Sequence, residues 1–361
     1  MKIAFIGLGL MGGSIAKALK KSDSNNQIIV IDTNEDVIRQ ALAQKVIDYG
    51  NTVIDSNLSS CDVIFLCAPV DNNNGLLGEI KKYINPNAVL TDIGSVKWPI
   101  HECVANAGLD QYFIGGHPMA GSEKSGFENA SDHLLENAFY ILTSNNNNDG
   151  RLEIMNGLIK CIGAIPIAIN PKDHDLYTAG ISHLPHLIAA QLVNLVKQND
   201  SSEGYMRLIA AGGFKDITRI ASSDPTMWQQ ICNENHENIH ILLRKYIELL
   251  EYTDQKLLEN DPKYVYDLFD EIGEYRNSFA DVSSGPIKKI PCLYCDIIDE
   301  SGAIATIATI LATSGINLKN IGIVHNREFE DGALRIEFSD EVDRKRAEEI
   351  LTHHRYIIYK R

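Results

Sequence analysis

The feature that most constrains this chain lies at its start, where Gly7-Leu8-Gly9-Leu10-Met11-Gly12 spells G-x-G-x-x-G. The hexapeptide closes an apolar run, Lys2–Leu8, and opens a pattern with Ile15, Ala16 and Leu19 at helical spacing. A second apolar run, Gln27–Asp32, ends on an acid. A strand, a glycine turn and a helix inside one βαβ unit are what a doubly wound parallel sheet requires. Gly7 permits the tight turn, Gly9 lets the backbone approach a ligand, and Gly12 lets helix and strand pack closely.

That turn aims helix N–H groups at whatever lies above it, a natural seat for a pyrophosphate. The carboxylate of Asp32 suits a ribose diol, whereas a 2′-phosphate there meets a like charge. The next basic residue is Arg39, so the pattern favours NAD over NADP.

Further strands are expected at Asp62–Ala68, Ala88–Ile93, Tyr112–Gly115 and Phe139–Thr143. Several are apolar at successive positions, as in a parallel sheet covered on both faces. Residues 1–169 therefore read as an α/β Rossmann domain. From residue 170 to 282 the pattern turns helical, with apolar spacing in Leu187–Val196 and Ile239–Leu250. Residues 290–361 change rhythm again. Strand Ile290–Ile298, helix Ala303–Thr313, strands Leu318–His325 and Ala333–Phe338, helix Val342–His353 and strand Tyr356–Tyr359 give the ferredoxin-like order βαββαβ.

A net charge of −15 disfavours binding to nucleic acid or to an anionic membrane. No run reaches the ~20 apolar residues of a span, and the N-terminus lacks a signal-peptide layout. Seven scattered cysteines read as reduced thiols, so a cytoplasmic location is expected. No metal is expected either. Cys292 and Cys295 sit in an ordinary strand pattern, and His236-Glu237-Asn238-Ile239-His240 has no third ligand downstream.

Polar clusters follow the strands, at the sheet edge where such folds bind ligands. They are Asp92-Ile93-Gly94-Ser95-Val96-Lys97 and Gly115-Gly116-His117-Pro118-Met119-Ala120-Gly121. The helical part adds His174, Ser182-His183-Leu184-Pro185-His186 and Gly212-Gly213-Phe214-Lys215-Asp216-Ile217-Thr218-Arg219. With GLGLMGGS before them and DPTMW after, these motifs in this order resemble the prephenate/arogenate dehydrogenase family over roughly residues 1–280.

The resemblance implies oxidative decarboxylation of prephenate with NAD, or of arogenate; the apolar faces of the helical region, more than one subunit should need, suggest a homodimer. The resemblance makes His117 the catalytic histidine, a neutral imidazole that accepts from the substrate hydroxyl. It makes Ser95 the residue that orients His117 and reaches both the hydroxyl and the nicotinamide. Arg219 becomes the carboxylate-binding fork, and His183, His186 and His174 pocket histidines. Trp228 becomes a pocket tryptophan, supplied by this subunit or by its partner. Gly7, Leu8, Gly9, Leu10, Met11, Gly12, Asp32, Ala68, Pro69 and Ser95 are expected to hold the cofactor. Lys97 reads as solvated, or as a support for phosphate and loop geometry. SHLPH and TRIA hold no acid to meet arogenate's ammonium, and His186 with Arg219 suits a dianion, which favours prephenate. Asn194 and Lys197 offer a rival β-hydroxyacid dehydrogenase reading, but that family places its lysine first.

Residues 290–361 resemble an ACT domain. That resemblance implies an amino-acid effector, tyrosine, held by Asp299, Gly302, Gly315 and Asn317.

Overall fold

The structure, a computed structural model, describes residues 1–68, 73–121, 124–145, 150–282, 291–297, 300–324 and 333–359. Pro69 and Asp299, and the expected strand ends Ile290, Ile298 and His325, lie outside the described residues. The chain divides into two compact units, Met1–Gln255 and Lys256–Arg361, so the expected border at residue 169 falls inside the first.

In the first unit β1 (Lys2–Ile6), β2 (Gln27–Ile31), β3 (Tyr49–Asn51), β4 (Val63–Leu66) and β5 (Val89–Asp92) form one sheet. Its order is β3-β2-β1-β4-β5, with every pairing parallel. Neighbouring residues of a strand serve opposite faces. Ile3, Phe5, Val30 and Phe65 pack with Ile15 and Leu19 on one side. Ala4, Ile6, Ile31 and Leu66 pack with Leu77, Ile80 and Val104 on the other. Two covered faces explain the unbroken apolar runs. The Phe5 and Phe65 rings stack across the strands with centroids 4.9 Å apart.

The expected strand Tyr112–Gly115 is displaced. Asp110–Tyr112 forms a 3₁₀ turn, a single bridge joins Phe113 to Leu90, and the strand β6 runs over Gly115–Pro118. It pairs antiparallel with β7 (Phe139–Thr143), which pairs parallel with β8 (Ile165–Ile169). The glycines cause the shift, because this stretch presses against its neighbours. A Cβ on Gly116 would stand 2.4 Å from the Asp92 carbonyl oxygen, and one on Gly115 2.4 Å from Thr143 Oγ1.

Helix Pro171–Thr178 begins with proline in its first turn, and Asn170 caps it by accepting from Lys172 N at 3.0 Å. A π-helical turn, Ala179–His183, separates it from helix Leu184–Asn199. The run Pro171–Asn199 is long and apolar enough to cross a membrane by length and composition. It also buries His174, Asp175 and His183, with His174 bonded to His117 and Asp175, and His183 to Asn235. The helices Gly212–Thr218, Pro225–Glu234 and His236–Leu258 follow.

In the second unit helix Pro262–Val282 precedes a sheet of β9 (Cys292–Asp296), β10 (Leu318–Val324), β11 (Ala333–Phe338) and β12 (Ile358–Tyr359). The order β10-β11-β9-β12, antiparallel throughout, carries helices Ala303–Thr313 and Glu341–His353. This is the ferredoxin-like arrangement. Leu293, Cys295, Ile307, Leu311, Leu334, Ile336, Phe338 and Leu351 fill its core. Cys295 is buried there while Cys292 is half-buried, the alternation of an ordinary strand. The last strand is two residues long where four were expected.

Candidate active site

At the glycine loop Gly7 has φ +91°, reached without strain by glycine alone, and its N–H donates to Ile31 O at 2.8 Å. A Cβ at Gly7 would lie 2.9 Å from Ala68 N, which sets Ala68 beside the loop. One at Gly12 would meet Gly7 O at 2.9 Å, whereas one at Gly9 meets nothing within 4 Å. The open side of the loop is therefore at Gly9, where helix Leu10–Ser22 starts. Leu10 opens that helix, and Met11 packs half-buried on the core. Asp32 accepts from Leu8 N at 2.7 Å and from Asn34 N at 2.8 Å, which pins its carboxylate over the loop. Arg39 is taken up by Asp36 in an ion pair. An open loop, helix N–H groups and a fixed acid fit a dinucleotide carrying a ribose diol.

Beside β5 the polar clusters converge. Lys97 is fully buried rather than solvated, because its ammonium pairs with Asp92 and donates to Gly116 O at 2.7 Å. Asp92 Oδ1 in turn accepts from Gly116 N at 3.1 Å. This clamp grips the residue immediately before His117. Burial pulls the Lys97 ammonium below its usual pKa, against the opposing pull of Asp92.

His117 Nδ1 shares a 2.8 Å hydrogen bond with His174 Nε2, and His174 Nδ1 one of 2.7 Å with Asp175 Oδ1. The Asp175 carboxylate also accepts from the backbone N–H groups of Lys97 and Trp98, each at 2.7 Å. Those amides open helix Trp98–Asn106, so Asp175 supplies the anion that a helix start favours. Burial, then the neighbouring His174, Lys97 and His183, hold the His117 imidazolium well below the ordinary histidine range.

Asn235 Nδ2 donates to Asp175 O at 2.7 Å, which fixes its amide orientation, and reaches His183 Nδ1 at 3.1 Å. His183 Nδ1 is then an acceptor, so the neutral ring carries its hydrogen on Nε2. Burial pushes the His183 pKa down to about 4. The His186 ring stacks on Trp228 with centroids 3.7 Å apart, and its Nδ1 bonds Ser182 O at 2.8 Å. Burial lowers its pKa too, and the charge of Arg219 pushes the same way.

The structure thus gathers His117, His174, His183, His186 and Trp228, with Arg219 close enough to act on His186. His174 is buried behind His117 with both ring nitrogens engaged, so it backs the histidine rather than lining the pocket. Ser95 is half-buried between β5 and Lys97, and among the described residues His174, not Ser95, bonds His117 Nδ1. Trp228 stacks on a histidine of its own chain. The lowered pKa of His186 weakens the expectation that it joins Arg219 in attracting a dianion. Asn194 bonds Gln191 on the exposed helix surface, 3.1 Å away, and takes no part in the cluster. The sequence reading missed Asp175 and Asn235 as parts of the site, and left Lys97 between a solvated residue and a support for phosphate and loop geometry. Their one legible sign was polar residues beside the motifs.

In the second unit Gly302 (φ +92°) and Gly315 (φ +70°) bracket helix Ala303–Thr313, with Asn317 exposed just beyond. The helix has 11 residues, so its two glycines stand roughly 16 Å apart along its axis.

A parallel sheet with this loop, and a half-buried histidine of lowered pKa clamped at its edge, define the protein's class as a nucleotide-dependent dehydrogenase. Models of the prephenate dehydrogenase nucleotide-binding domain and dimerization domain match residues 15–167 and 170–271. The chain belongs to the prephenate dehydrogenase family. It is 36% identical over 352 residues to the prephenate dehydrogenase of Bacillus subtilis, covering 97% of this chain and 95% of that one. It is 32% identical over 355 residues to that of Lactococcus lactis, covering 97% of each. Among solved structures, prephenate dehydrogenase from A. aeolicus in complex with hydroxyphenyl propionate and NAD+ superposes with a TM-score of 0.72. That pair is 32% identical, over 77% of this chain and 98% of the other. Synechocystis arogenate dehydrogenase superposes with a TM-score of 0.71 at 26% identity, over 77% of this chain and 100% of the other.

Proposed function

We propose that the protein oxidatively decarboxylates prephenate to 4-hydroxyphenylpyruvate with NAD, a step towards L-tyrosine, and that His117 is its base. The observation that carries the reading is a half-buried His117, its pKa held well below the ordinary histidine range, whose Nδ1 is occupied, leaving Nε2 for the substrate. When bound, NAD supplies the hydride acceptor.

His117 Nε2 accepts the hydrogen bond of the ring hydroxyl, so charge can build on that oxygen as the C4–H bond breaks. The C1–carboxylate bond breaks with its electron pair entering the ring, CO2 leaves, and the phenol keeps its hydrogen. Arg219 holds a substrate carboxylate, and His183 offers an Nε2–H donor. Ser95, on the loop after β5, is assigned to the substrate hydroxyl and the nicotinamide. Leu8, Gly9, Leu10 and Met11 present the pyrophosphate seat, and Asp32 the ribose acceptor. The absence of an acid in SHLPH and TRIA, together with two full-length relatives named for prephenate, favours prephenate over arogenate. NADH formation from each substrate in parallel tests this: prephenate should be preferred, and a preference for arogenate would reverse the assignment.

The helical region supports a homodimer. Ile181, Leu195, Leu208, Ile209 and Leu249 are exposed, more apolar surface than a lone subunit usually shows water. The ferredoxin-like fold of the last residues supports an ACT module responding to tyrosine. Because Gly302 and Gly315 stand at opposite helix ends, one ligand would meet them from two copies. Unchanged kinetics in saturating L-tyrosine would remove this regulatory role.

A further inference from the structure

We propose that Asp175 and His174 are positioning residues that lock His117 in the tautomer with hydrogen on Nδ1, leaving Nε2 as a bare acceptor. The inference rests on the reading of His117 as the base and adds how that base is kept in its working form.

The argument is one of donors and acceptors. A carboxylate bearing two backbone N–H donors, as Asp175 does, acts as an acceptor. The His174 nitrogen 2.7 Å from it therefore carries hydrogen, which makes Nε2 of a neutral His174 an acceptor. The His117 nitrogen 2.8 Å from that acceptor must donate. Its hydrogen lies on Nδ1, and only Nε2 keeps a lone pair. The opposite tautomer would set two lone pairs against each other 2.8 Å apart, on the side where His174 is buried.

The lock is also anchored. Asp175 caps helix Trp98–Asn106 and its carbonyl holds Asn235, so the dyad cannot swing without undoing both. The charged or titratable groups acting on His117 are His174, Lys97 and His183, and Lys97 is neutralised by Asp92. The logic is that of a carboxylate behind a catalytic histidine, where a wrong tautomer costs ~10⁴-fold in rate with geometry intact.

The test uses full-length protein labelled with [15N]histidine, with His117 assigned by its loss in His117→Asn. In the wild type at neutral pH, His117 should show a protonated Nδ1 and a bare Nε2. A proton on Nε2 overturns the proposal whatever the variants do. His174→Leu should bring Nε2–H into the His117 spectrum and lower kcat at least ~100-fold, with NAD affinity unchanged. His174→Gln, which can still accept through its amide oxygen, should recover at least ~10-fold of that loss. If His174→Leu keeps both the tautomer and the rate while His117→Asn is inactive, the lock fails and the base survives. An active His117→Asn would instead remove the base.

Discussion

His117 and His174 meet ring nitrogen to ring nitrogen at 2.8 Å, Nδ1 to Nε2, with His174 buried behind the half-buried His117. A histidine tied this way has one free nitrogen, and catalysis is assigned to it. His117→Asn should lower kcat by roughly 10²–10⁴-fold, the usual worth of a positioned base. NAD binding, measured by fluorescence titration, should stay within about twofold, since the glycine loop lies elsewhere in the sheet.

The same burial sets the pH behaviour. The folded pKa values of His101 and His183 are pushed to about 4 by burial, and that of His117 is pushed down as well. Unfolded histidines titrate near ~6.5, so between these values the unfolded chain binds more protons. Stability from these groups is complete above about pH 6.5 and falls as pH drops towards about 4. His101 contributes through a buried bond to Thr143 Oγ1 at 2.8 Å. His101→Gln should show a shallower fall of the urea midpoint with acid than wild type. An equal fall would mean that His101 does not titrate this way. By the same sign, kcat should be flat above about pH 6.5 and decline only in more acid solution.

Gly116 leaves no room for a methyl group, with Asp92 O 2.4 Å and Tyr140 Oη 2.8 Å from where it would sit. Gly116→Ala must push β6 away from β5 and carry His117 with it. Stability should fall by about 1–3 kcal/mol, and kcat by more than ~10-fold, since small misplacements cost heavily. A variant of full activity would show that the clamp does not set the histidine's position.

Lys97→Met removes the cation and leaves Asp92 buried without it. The loss of a buried partner costs on the order of 3–5 kcal/mol, so thermal unfolding should occur well below that of wild type. The double variant Lys97→Met with Asp92→Leu should recover part of that stability but not activity, because Gly116 would have lost its partners.

How much of this was legible depends on how far apart the partners lie in the chain. The loop from Gly7 to Gly12 and Asp32 could be read because one βαβ unit holds them all. The pairing of Asp175 with the Lys97 and Trp98 amides spans 78 and 77 residues, and that of Asn235 with His183 spans 52. No local pattern marks such contacts. Lys97 could be read as solvated or as a support for the loop, because lysine is usually exposed and only the fold brings Asp92 and Gly116 around it. The strand Gly115–Pro118 was misplaced because two glycines and a proline carry little strand signal; tight packing places it there. The three-residue β3 was too short for any periodicity.

The most direct test of the whole account is the stoichiometry of one turnover mixture: prephenate, NAD and the full-length protein. NADH, CO2 and 4-hydroxyphenylpyruvate should appear in equal amounts, and His117→Asn should abolish all three together. NADH without CO2, or no NADH from prephenate at all, would contradict it.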